Sequence, residues 1–219
     1  MHKTVQNLLN IKTQIKTKIS ELKYNYTPEI IAVSKTFLIN HIMPLIENGH
    51  IHFGENKVQE ALEKWPEIKK NKKNIKLHMV GKLQTNKVKF ALRIFDYIHS
   101  LDSIKLAKKI SEEQKKYTNK PKIFIQINVG NEDQKSGVSK KKILDFYTEC
   151  KKLNLDVVGI MCLPPINKDP NTFFLEMKKI SIDLNLKEIS MGMSKDYMDA
   201  IKHSSTFLRI GSKIFGQRI

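Results

Sequence analysis

Eight short apolar runs, separated by stretches with helical spacing, recur along the whole chain, and this rhythm constrains the fold more than any other feature. The runs are Ile30 to Ser34, His50 to Phe53, Leu77 to Val80, Tyr97 to His99, Ile123 to Val129, Val157 to Met161, Lys187 to Ser190 and Phe207 to Ile210. They are rich in Ile, Val and Phe, as strands buried on both faces are. Between them, Ile39 to Asn48, Lys57 to Lys64, Lys87 to Phe95, Ile104 to Tyr117, Lys140 to Leu153, Asn171 to Leu184 and Asp196 to His203 carry apolar residues at helical intervals. Val5 to Leu22 adds a helix ahead of the first strand. Alternation of this kind predicts an α/β fold with a parallel sheet. Eight repeats match a single (β/α)8 TIM-type barrel with an extra N-terminal helix, whereas a doubly wound sheet needs fewer strands. At 219 residues the chain is expected to form one domain, 1–219.

In such a barrel the loops after the strands form the functional face, and phosphate commonly sits at the loops after strands seven and eight. Gly54, Gly81, Gly130, Gly192 and Gly211 are expected just after strands, where a turn is tight or a ligand nears the backbone. The last two loops are Met191-Gly192-Met193-Ser194 and Gly211-Ser212. Backbone amides and the Ser194 hydroxyl at a helix start suit phosphate oxygens, although Ser with Gly also caps ordinary helices. Lys35 follows the run Ile30-Ile31-Ala32-Val33 with only Ser34 between, and Arg209 lies in the eighth run. Closure makes strands eight and one neighbours, so an amine would stand beside a phosphate cradle. That pairing suits pyridoxal 5'-phosphate (PLP), which carries an aldehyde and a phosphate.

The formal net charge is +17, yet the lysines are spread out, with no zinc-finger spacing, basic zipper or aromatic RNA-binding signature, so no specific nucleic acid partner is expected. Positive charge helps attract a small anion. No run approaches the roughly 20 apolar residues that cross a bilayer, and the amino terminus lacks a signal peptide's apolar centre, which predicts a cytoplasmic protein with no membrane partner. Cys150 and Cys162 are read as free buried thiols. His50 and His52 would share one strand face without a third ligand nearby, so no metal is expected. Asp102 and Ser103 read as a helix cap, and Trp65 with Pro66 as the end of a helix.

The segments AVSKT around Lys35, FGENKVQE from Phe53, HMVGKLQTNK from His78, IHSLDS from Ile98, IQINVGNEDQKSGV from Ile125, SMGMSKD from Ser190 and RIGSKIFGQR from Arg209 follow one another over nearly all the chain. In this series the chain resembles the pyridoxal phosphate homeostasis proteins, single-domain relatives of the amino-terminal barrel of alanine racemase. The resemblance implies a fold type III PLP-binding barrel in which Lys35 holds the cofactor as a reversible Schiff base. Asn56 would lie against the cofactor, Arg209 would face the pyridine nitrogen, and Ser194, Gly211 and Ser212 would hold the phosphate. It implies a monomeric carrier that buffers PLP or delivers it to PLP-dependent apoenzymes, with a low-activity amino-acid racemase as the alternative. Departures from the family pattern are Leu77, where an aromatic is usual, Met79 for phenylalanine, Lys82 for proline or histidine, and Ser212 for threonine. Serine keeps the hydroxyl, so phosphate binding is not affected, whereas Lys82 is expected near the mouth. The chain ends soon after the eighth run, and the β-rich second domain of alanine racemase, with its tyrosine, is not expected.

Overall fold

A computed structural model describes residues 1–118, 120–132 and 134–217, so Asp133 and Arg218 of the matched segments lie outside the described residues. The strands are β1 (Glu29–Val33), β2 (His52–Glu55), β3 (Lys76–Met79), β4 (Tyr97–Leu101), β5 (Lys122–Ile127), β6 (Val157–Cys162), β7 (Glu188–Met193) and β8 (Phe207–Ile210). All pair in parallel with their sequence neighbours, and β8 pairs with β1 to close the barrel. The helices are α1 (Lys3–Glu21), α2 (Ile39–Glu47), α3 (Val58–Lys64), α4 (Pro66–Asn71), α5 (Val88–Ala91), α6 (Ile104–Gln114), α7 (Ile143–Lys152), α8 (Pro170–Asp183), α9 (Tyr197–Lys202) and α10 (Ser212–Phe215). Every expected strand forms, with ends displaced by a few residues.

The local reasons are legible. In α1, Val5, Leu8, Ile11, Ile15 and Ile19 make one buried stripe. Helix α2 is followed by Gly49 at φ +82°, the left-handed position where glycine costs least. Ser103 caps α6 by accepting the Leu106 N–H at 3.4 Å, as expected. Trp65-Pro66 ends α3 at Lys64, as expected, and Pro66 then opens the short helix α4 at its first turn, where a missing N–H costs nothing. The expected helix over 87–95 shortens to a 3-10 turn, Thr85–Lys87, followed by α5.

Two glycines sit differently from expectation. Gly54 and Gly192 lie inside β2 and β7, not after them. Strand β7 runs on to Met193 because its register against β8 shifts between Ser190 and Met193, and Gly192 at φ +88° absorbs the shift. The main core lies between strands and helices, and a second fills the barrel, where Ile31, Phe124, Met161 and Phe207 meet Val33, Tyr97 and Val158. Among the described residues no helix is long and apolar enough to cross a membrane.

Candidate functional site

Lys35 stands two residues past Val33, the end of β1, and is half-buried. The turn that carries it is gripped on both sides. Ser34, fully buried, donates its N–H to the Gly54 carbonyl at 2.9 Å and its hydroxyl to Glu55 Oε1 at 2.8 Å. Thr36 takes φ +69°, a conformation a β-branched residue rarely adopts, and donates its N–H to Glu60 Oε1 at 2.5 Å. The Lys64 ammonium donates to the carbonyls of Ser34 (3.0 Å) and Phe37 (3.2 Å) and pairs with Glu55 and Glu60, each at 2.8 Å. Trp65 Nε1 adds a bond to Glu55 Oε1 at 3.0 Å. Burial pushes the Glu55 carboxyl up, and Lys64 draws it back towards the ionised form.

Strand β8 brings the rest of the constellation alongside. Ile31 is in register with Arg209 and Ala32 with Ile210. A Cβ built on Gly211 would lie 3.2 Å from the Val33 carbonyl oxygen, so the chains meet closely there. Phe215 stacks on Phe37 with centroids 4.9 Å apart, tying α10 to the Lys35 turn. Ser194 Oγ accepts the Lys213 N–H at 3.3 Å, joining the loop after β7 to the loop after β8. Asn56 follows β2, on the other side of β1. Thus Lys35, Asn56, Ser194, Arg209, Gly211 and Ser212 come to the carboxy-terminal ends of four contiguous strands, β7, β8, β1 and β2. Asn56, Ser194 and Gly211 are half-buried and Ser212 is exposed. One of the amides expected at the loop after β7 is already taken: Met193 donates its N–H to Asp196 Oδ1 at 2.6 Å.

Arg209 is 5% exposed. Its Nη1 donates to Ser190 Oγ at 2.6 Å and its Nη2 to the Cys162 carbonyl at 2.7 Å. Among the described residues no carboxylate pairs with it. Burial lowers its pKa from the ordinary value, but a guanidinium starts so high that it stays charged. Cys162 is inert, as expected, since burial pushes its thiol up to about 12.

Sequence reasoning missed Glu55, Glu60 and Lys64, although all three lie in or beside the FGENKVQE segment, and it gave no role to Ser190, although that residue opens the SMGMSKD segment. His50 and His52 do not share a strand face: His50 precedes β2 and its Nε2 lies 2.9 Å from the His52 carbonyl oxygen. Among the described residues no cluster of His, Cys, Asp or Glu could hold a metal. Lys135 pairs with Glu132 at 2.6 Å and donates to the Pro164 carbonyl at 3.3 Å, next to Gly137 at φ +136°. Lys82 is exposed.

Residues 8–219 match the model of the alanine racemase N-terminal domain family. The pyridoxal phosphate homeostasis protein of Haemophilus influenzae is 34% identical, over 98% of this chain and 96% of that protein. That of Pasteurella multocida is 33% identical over 97% of each. PipY of Synechococcus elongatus, solved with PLP bound, superposes with a TM-score of 0.81 at 28% identity, covering 92% of this chain and all of that one. The barrel, the mouth assembled on β7, β8, β1 and β2, and these matches along almost the full length place the chain in the alanine racemase N-terminal domain family, among the pyridoxal phosphate homeostasis proteins.

Proposed function

We propose that this protein binds pyridoxal 5'-phosphate at the carboxy-terminal mouth of its barrel and holds it by a reversible Schiff base on Lys35, buffering or delivering it without turnover of a substrate. The observation that carries this reading is the meeting of Lys35, Ser194, Arg209, Gly211 and Ser212 on neighbouring strand ends. The residues present fit such a group. Gly211 lets the backbone of β8 close on β1, and hydroxyls at Ser194 and Ser212 with nearby amides are a suitable donor set for phosphate. The relatives' names and the PLP held by PipY support the same reading.

When bound, the cofactor would supply an aldehyde open to reversible condensation with an amine, water being the group lost and regained, and Lys35 would be the residue that holds it. Everything else belongs to the chain. The clamp of Glu55, Glu60 and Lys64 holds the Lys35 turn in one conformation, so little ordering remains to be done on binding. Arg209, a buried permanent cation, disfavours a proton on a ring nitrogen placed against it, which weakens the ring as an electron sink and favours storage over carbanion chemistry.

Purified protein incubated with PLP is expected to show visible imine absorption that borohydride abolishes, with the reduced adduct mapped to Lys35 and lost in Lys35→Ala. Equal trapping in that variant would overturn the attachment point. α-Deuterium exchange into a panel of amino acids is expected to be absent, and exchange at one of them would favour the racemase alternative.

A further inference from the structure

A row of polar side chains threads the barrel beneath this mouth. His52 Nδ1 lies 2.9 Å from His78 Nε2, His78 Nδ1 lies 2.9 Å from His99 Nε2, and His99 Nδ1 lies 2.9 Å from Ser190 Oγ, which accepts from Arg209 at 2.6 Å. At the far end His52 Nε2 stands 3.7 Å from a carboxylate oxygen of Glu29, a residue largely exposed at the opposite mouth. His78 and His99 are fully buried and His52 nearly so. Their ring planes are set by stacking, His78 on Tyr97 with centroids 4.3 Å apart and His99 on Phe124 at 4.2 Å.

The two ends dictate the direction of every bond between them. Arg209 has only donors, so the Ser190 hydroxyl that accepts from it has its own proton to give, and His99 Nδ1 is the partner that can take it. His99 must then carry its proton on Nε2 and donate to His78 Nδ1. His78 likewise donates from Nε2 to His52 Nδ1, and His52 is left with Nε2–H facing Glu29, a carboxylate that only accepts. The reverse polarity would set a ring lone pair against that carboxylate. We propose that Ser190, His99, His78 and His52 form a one-way hydrogen-bond relay that fixes Arg209 in place and stabilises its charge with a series of aligned dipoles ending on Glu29 at the other mouth.

The relay answers a problem the site otherwise leaves open. A guanidinium taken out of water without a carboxylate partner is costly, and hydrogen bonds in series polarise one another. Their negative ends all face Arg209. The histidines suit the task because burial, and for His78 the neighbouring histidines, hold His78 and His99 well below the usual imidazole range, so both stay neutral. For cofactor binding the inference rests on the function proposed above: Arg209 is the group meant to meet the ring, and the relay positions it.

The first arm of the test needs no cofactor. In protein labelled with nitrogen-15 histidine, NMR correlation of ring nitrogens and protons should find His52, His78 and His99 neutral and protonated at Nε2. A charged ring or an Nδ1-protonated ring at His78 or His99 would overturn the relay, whatever the protein binds. The second arm compares His99→Gln, which keeps an acceptor and a donor, with His99→Phe, which keeps a flat ring against Phe124 but breaks the series. The Phe variant should bind PLP about tenfold more weakly, with a shifted visible band, and the Gln variant should recover much of both. Identical affinity and spectrum in the two would overturn the positioning of Arg209. Ser190→Ala, a smaller change, guards against misfolding of the Phe variant and should also release the single tautomer of His99. Failure of the parent protein to bind PLP, with its tautomers as stated, would sink the cofactor reading and leave the relay standing.

Discussion

At Gly192 the backbone turns through φ +88°, and a Cβ built there would lie 2.6 Å from the Ala200 Cβ and 3.0 Å from the Tyr197 Cα. Both penalties fall on one residue, because the bulge of β7 needs the left-handed conformation and α9 packs directly over it. Gly192→Ala is therefore expected to destabilise the fold by about 2–3 kcal/mol, lowering the melting temperature by roughly 5–10 °C. Thermal denaturation checks this, and a change below 2 °C would mean that α9 yields easily. The same bulge aims Ser194 at the loop after β8, so PLP affinity should fall in the variant as well.

At the scale of elements, α3 acts as a clamp on the Lys35 turn. Lys64 bridges two carbonyls of that turn and two carboxylates, one of them the fully buried Glu55. Removing one partner of a buried pair leaves the other charge uncompensated, which costs about 3–5 kcal/mol. Lys64→Met should thus lose about 3 kcal/mol in urea unfolding and weaken covalent trapping at Lys35. Adding Glu55→Gln should recover part of the stability, since the orphaned charge is gone, but not the trapping, since the turn is still loose. A double variant less stable than Lys64→Met would show that Glu55 acts mainly through Ser34 and Trp65.

For the whole molecule, the buried histidines set the response to acid. His50, His52, His78 and His99 all have pKa values lowered from 6.5, chiefly by burial, and His50 falls to about 3. The unfolded chain takes up protons below about pH 6.5 that the folded chain refuses, so stability is full above that value and is lost as pH falls. Each such ring contributes up to about 1.4 kcal/mol per pH unit. Glu55 works the other way, its raised pKa favouring the fold at low pH, but it is one group against four. Urea unfolding should show a marked loss of stability between pH 7 and pH 5, with a shallower slope in His50→Gln, where the side chain can still donate to the His52 carbonyl. A slope unchanged in that variant would remove His50 from the account. The net charge of +17 adds self-repulsion to the compact state.

By itself the sequence determined the barrel, because apolar periodicity and β-branching are local properties, and eight alternations in one chain admit few other parallel arrangements. It also marked Lys35, Asn56, Ser194, Arg209, Gly211 and Ser212, each standing at or just past a strand end where a ligand face must lie. What it left unread depended on closure. His52, His78, His99, Ser190 and Arg209 are spread over 158 residues of chain and carry no common motif, and only the wrapping of β2, β3, β4, β7 and β8 around one axis sets them in a row. The Lys64 clamp was hidden for the same reason: a surface lysine and a clamping lysine look alike until α3 is laid against β1 and β2. Hydrogen bonds join groups by position in space, and position in space is what the sequence pattern records least.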